Sequence, residues 1–331
     1  MSVVELLNDP KVCILLDSVI PPFPKRIFSA IAAPPVTNRY SLVGTAFDYA
    51  IRFELELLYP HARTETWVAE TGAAAAPPKQ RKKARRILDA AKADFESYVR
   101  NPTPDAVTRA TMAAHAIRLA KLDLIFRPGI IDPAMDVADP GDVQDILQLL
   151  AVAPCATLAH PTTLCLNPSF GALSSVVGGA DCDLISGNAL IEIKVTKDDN
   201  IRASYVRQLV SYLILARGAR KEDTTFPEIH SIGVYFARHA YLWTLPVESI
   251  MGNPQFSKVE GAYLDYAQGV YGIPLEMPQS LLLKRRKKKP VAKKATRQRT
   301  TKRAKVKPRG KRATRKTAKT KDRKKMRRNA P

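Results

Sequence analysis

An α/β fold with a mixed central sheet flanked by helices is what this 331-residue sequence predicts. Three observations predict it. A tight hairpin of apolar alternation lies between Gly178 and Thr196, a helical stretch follows it, and two more alternating runs fill residues 231–247. In chain order, residues 41–56 (SLVGTAFDYAIRFELE) read as a first helix. The alanine and proline run at residues 71–78 (TGAAAAPP) is expected to break it from two helices around 80–98 and 104–126, with another at 143–152. Residues 72–138 thus form a helical insertion, about 160–247 form the core, and 1–283 is the domain. Tyr235, Tyr241 and Trp243 are expected to be packing groups of the last strand pair.

The hairpin carries chemistry. If Gly187 and Asn188 form a two-residue loop, Leu184 faces Ile191, Asp183 faces Glu192 and Asp181 faces Lys194. Asp181, Asp183, Glu192 and Lys194 then share one face, while Cys182, Leu184, Ile191 and Ile193 turn to the core. Opposed acids destabilise a plain strand pair, and a divalent cation removes that repulsion. Carboxylate oxygens suit Mg²⁺ or Mn²⁺, which polarise a phosphoryl oxygen and acidify a bound water. Lys194 would orient or deprotonate that water and stabilise the developing negative charge.

Directly downstream, ASYVRQLVSYLILAR places Gln208 and Tyr212 one helical turn apart. Asp183, then Glu192-Ile193-Lys194, then Gln208-x-x-x-Tyr212 resembles the PD-(D/E)XK nuclease superfamily, especially its RecB-like branch. The resemblance spans roughly residues 41–245, with its specific part at 167–212. It implies a restriction-endonuclease-like core and a Mg²⁺-dependent deoxyribonuclease, with Asp183 and Glu192 holding the metal, Lys194 assisting the nucleophile, and Gln208 and Tyr212 supporting the site or touching DNA. The first helix of such domains often supplies another acid; Asp48, Glu54 or Glu56 fits that role, and Asp48 is preferred. The sequence departs from the family in having Cys182, not proline, before Asp183, and in offering Asp181 as a rival first acid or supporting metal-side group.

Charge divides the chain. From Lys284 onward lie 26 of the 53 Lys and Arg and one of the 31 acids, which leaves 27 bases against 30 acids ahead of it. The tail, opening with Lys284, Arg285, Arg286, Lys287, Lys288 and Lys289, has almost nothing apolar to bury and is expected to stay disordered. It resembles the tails of linker histones, and its natural partner is polyphosphate: DNA, with RNA as an alternative. A second basic cluster is Lys79, Arg81, Lys82, Lys83, Arg85 and Arg86. Cys13, Cys155, Cys165 and Cys182 fit neither a zinc spacing nor a disulfide framework, which points to a reducing cytoplasm with nucleoid association. No signal-peptide core, membrane span, Walker loop or helicase motif is present, so strand separation would fall to a helicase or other protein partner. A rival reading is a non-catalytic nucleic-acid-binding or nucleoid protein that retains the nuclease fold.

Overall fold

The computed structural model describes residues 3–269, apart from Arg63, Glu65, Pro128 and Gly178. The basic tail from Lys284 lies outside the described residues. Elements run α1 (Val3–Leu6), α2 (Pro10–Asp17), α3 (Tyr40–Leu58), α4 (Val68–Ala75), α5 (Pro78–Tyr98), α6 (Ala106–Phe126), α7 (Pro140–Val152), α8 (Cys155–Leu158), β1 (Leu164–Leu166), α9 (Ala172–Val176), β2 (Leu184–Ser186), β3 (Ala189–Lys194), α10 (Ala203–Glu222), β4 (Ser231–Phe236), β5 (Tyr241–Pro246), α11 (Glu248–Met251) and α12 (Phe256–Gly269). Local signals explain several starts. Asp9, Asp105 and Asp139 each cap a helix by accepting a backbone N–H, and Pro10, Pro78 and Pro140 occupy first-turn positions where a missing N–H does no harm.

The strands form one mixed five-stranded sheet in sequence order. β2 and β3 pair antiparallel with Leu184 opposite Ile191, as the sequence predicts, and Gly187 opens the loop in the left-handed region. β3 and β4 are parallel, joined through α10, and β5 returns antiparallel.

Both faces of this sheet are buried. Leu184, Ile191, Ile193 and Tyr235 pack toward α3–α7, and Ile185, Leu190, Ile232, Val234 and Phe236 pack toward α2, α10 and α12. The charged side chains of β3 therefore point not to open solvent but under α10; Glu192 is only 6% exposed.

Four expectations are corrected. The 71–78 run is not a break throughout, because α4 extends through Ala75 and the chain turns only at Ala76 and Pro77. Its small side chains let α4 lie against α6, where a Cβ on Gly72 would stand 2.1 Å from Leu122 O. Asp181 does not face Lys194: the β2–β3 ladder begins at Leu184, and Asp181 instead bridges Ser169. Cys182 joins the core on the α10 side, not the side of Leu184 and Ile191, because the chain leaves the ladder there and Cys182 N–H donates to Pro168 O. Tyr241 is exposed, whereas Tyr235 and Trp243 are buried as expected.

Candidate nuclease site

The site is built where β3 ends beneath the first turns of α10. Alternation along β3 puts Glu192 and Lys194 on the same face, and the helical repeat brings Gln208 and Tyr212 over them. Lys194 Nζ donates to Glu192 Oε1 at 2.7 Å and to Gln208 Oε1 at 3.1 Å. Gln208 Nε2 reaches Glu192 Oε1 at 2.9 Å and Tyr212 Oη at 3.0 Å. Phe170 stacks on the Tyr212 ring with centroids 5.5 Å apart, which fixes the far end of this chain of contacts.

Asp183 stands at the mouth of the hairpin, its Oδ2 accepting from Ile193 N–H at 2.5 Å. Asn167, held in the left-handed region, donates its N–H to Asp183 O, and its side chain hydrogen-bonds Asp181. A cavity of about 440 Å³ collects Asp181, Asp183, Glu192, Lys194, Gln208 and Tyr212 in its lining, together with Arg127, Tyr205 and residues of α1. Asp48 reaches this acid group through its field, raising both Asp181 and Asp183, and is itself paired with buried Arg52 at 2.6 Å. Glu54 and Glu56 are engaged elsewhere: Glu54 binds Tyr98 and Arg109, and Glu56 accepts from Thr64 N–H at 3.0 Å.

The electrostatics follow from burial. Desolvation, then the charges of Glu192 and Asp48, hold the Asp183 carboxyl well above its ordinary range, with Lys194 and Ile193 N–H opposing. Burial also raises Asp181, against the pull of Arg127. For Lys194, burial works against the ammonium, but Glu192 and Asp183 outweigh it and its pKa rises above 10.5. Lys194 is therefore an ammonium in this arrangement, suited to holding a water or an anion and not to accepting a proton. Burial, then Glu192, pushes the Tyr212 phenol well up, so it remains a hydroxyl.

Two carboxylate oxygens, Asp48 Oδ1 and Glu192 Oε2, are buried without a hydrogen-bond partner. Buried acceptors are seldom left so, and hard anionic oxygens are what a small divalent cation takes. Among the described residues, however, no group of three or more His, Cys, Asp or Glu is gathered closely enough to hold an ion. Asp183 Oδ2 and Glu192 Oε1 are engaged by the Ile193 N–H and by Lys194 with Gln208. The donors fit Mg²⁺ in kind, and the orphaned oxygens remain for it.

Sequence reasoning missed Arg52, Arg127, Asn167 and Tyr205. Arg52 follows Asp48 by four residues on one helix, a spacing that could have revealed the pair. Arg127 comes from the C-terminal cap of α6, and nothing in its neighbourhood marks it. In the second basic cluster, Lys83 pairs with Asp136 at 2.6 Å and Arg85 with Asp89 at 2.9 Å. A larger cavity, about 870 Å³, lies toward the other end of α10 and contains none of the predicted site residues; its Arg217 and Arg220 are paired with Glu260 and Glu228. Among the described residues no helix is long and apolar enough to cross a membrane. No protein-family model, curated protein or solved structure matches the chain.

Proposed function

We propose that this protein is a divalent-metal-dependent nuclease that hydrolyses DNA phosphodiester bonds by direct attack of water. The observation that carries the reading is the single cavity in which Asp181, Asp183, Glu192, Lys194, Gln208 and Tyr212 converge from a hairpin and the helix after it. The antiparallel hairpin followed by a parallel β3–α10–β4 crossover supports a restriction-endonuclease-like core.

Asp183, Glu192 and Asp48 would hold Mg²⁺ or Mn²⁺, with Asp181 beside them; when bound, such an ion polarises a phosphoryl oxygen and acidifies a coordinated water. Lys194, as an ammonium, orients the attacking water and stabilises charge that develops on the phosphorane oxygens. Gln208 fixes both Lys194 and Glu192, and Tyr212 fixes Gln208. The basic tail supplies sequence-independent affinity.

Lys194→Ala in the full-length protein should lower DNA cleavage about a hundredfold or more while leaving DNA affinity nearly unchanged. Undiminished cleavage by a clean preparation of that variant would contradict the assignment. One observation favours a second reading, a non-catalytic nucleic-acid-binding protein: no three acids are gathered to hold an ion among the described residues. Wild-type protein that binds DNA but never cleaves it with Mg²⁺, Mn²⁺ or any added partner would select that reading.

A further inference from the structure

Arg127 is the cation of the cavity for which the network just described has no use. It caps the C-terminus of α6, its own N–H spent on Asp123 O at 2.9 Å, and its exposed side chain lines the same space as Asp181, Asp183, Glu192 and Lys194. The other cations of the site have partners: Arg52 is tied to Asp48 and Lys194 to Glu192. Among the described residues Arg127 forms no ion pair, although its field reaches Asp181 and Asp123.

An acid-lined cavity repels a phosphodiester unless a cation receives it. A guanidinium meets a phosphate in a two-pronged, charge-assisted contact that an ammonium cannot reproduce. The cavity, at about 440 Å³ and bounded on one side by α1, has room for a nucleotide unit of one strand and not for the width of a duplex. We propose that Arg127, delivered by the helical region, seats a backbone phosphate of a single nucleic-acid strand in this cavity, next to the bond presented to Lys194. The inference rests on the nuclease reading for the identity of its anion, but it concerns binding and is tested as such.

The probe is the 5′-phosphorylated dinucleotide pTpT, added to the full-length protein in a Ca²⁺ buffer while the melting temperature is followed. A ligand raises the melting temperature only to the extent that it prefers the folded state. Binding to a tail that folding leaves unchanged contributes nothing, so the shift reports the cavity. Wild type should show a concentration-dependent rise in melting temperature. Arg127→Gln should weaken the apparent affinity about tenfold or more, and Arg127→Lys should recover part of it. If Arg127 serves only to balance Asp181 and Asp123, Arg127→Gln will change the melting temperature of the unliganded protein and leave the pTpT affinity as it was, which overturns the proposal. No shift in wild type overturns it too. DNA cleavage by wild type and Lys194→Ala is scored separately: lost cleavage with a retained, Arg127-dependent pTpT shift would reject the nuclease and keep the phosphate seat, and normal cleavage with an Arg127-independent shift would do the reverse.

Discussion

Asp123 shows how far the field of the site extends. It is buried on α6, accepts from Tyr49 Oη at 2.8 Å, and is raised to about 7 by desolvation, against the hydrogen bond from Tyr49 and the charge of Arg127. An acid whose folded pKa exceeds its unfolded one takes up a proton on folding, so its contribution to stability is fully present below the unfolded value and is lost as pH rises through the folded one. For Asp123 that window runs from about 4 to about 7, and Asp183 shifts in the same sense. In EDTA, the stability of wild type should therefore fall across this window by on the order of a few kcal/mol, and Asp123→Asn, which keeps an acceptor for Tyr49, should flatten the fall. Urea unfolding at a series of pH values measures it; an unchanged slope in Asp123→Asn would place the titration elsewhere. Asp183, Glu192, Lys194, Gln208 and Tyr212 were legible because strand and helix periodicity bring close neighbours in sequence to one point. Asp48 was legible only through the resemblance, and Arg127 and Asp123 were not, since their place depends on how α6 packs against α3.

At the scale of elements, α4 is the instructive failure of the sequence reading. A run of alanines with one glycine before two prolines looks like a linker, yet small residues are also what two helices need in order to lie close together. Only the presence of α6 decides between these, and its 21-residue length is separated from α4 by all of α5. Gly72→Ala would gain helix propensity but force its methyl into Leu122 O, a backbone atom that cannot swing away. A net loss of about 1–3 kcal/mol is expected, visible as a lower melting temperature, and a stabilised variant would show that the two helices do not touch there. The hairpin was legible because loop chemistry and alternation agree; the break at Asp183 was not, because it is set by residues 167–169 lying alongside. β1, α2 and α12 were not foreseen, being short or weakly patterned.

For the whole molecule, the charge split predicts two functions in one chain, with a near-neutral folded part ahead of a strongly basic tail. Truncation after Leu283 should leave a folded protein whose DNA affinity is lower and far less salt-sensitive, because a tail making about ten phosphate contacts contributes a log–log salt slope of about −9. Equal slopes for truncated and full-length protein would show that the tail is not the main DNA contact. Composition made the tail legible as a polyphosphate ligand without any fold. What the folded part does with the captured strand depends on the acid cluster, and the most direct test is a digest of linear DNA by wild type and by the Asp183→Asn, Glu192→Gln double variant, each with Mg²⁺ and with EDTA. Cleavage by wild type in Mg²⁺ alone is the expected result. Cleavage in EDTA, or equal cleavage by the double variant, would contradict the account.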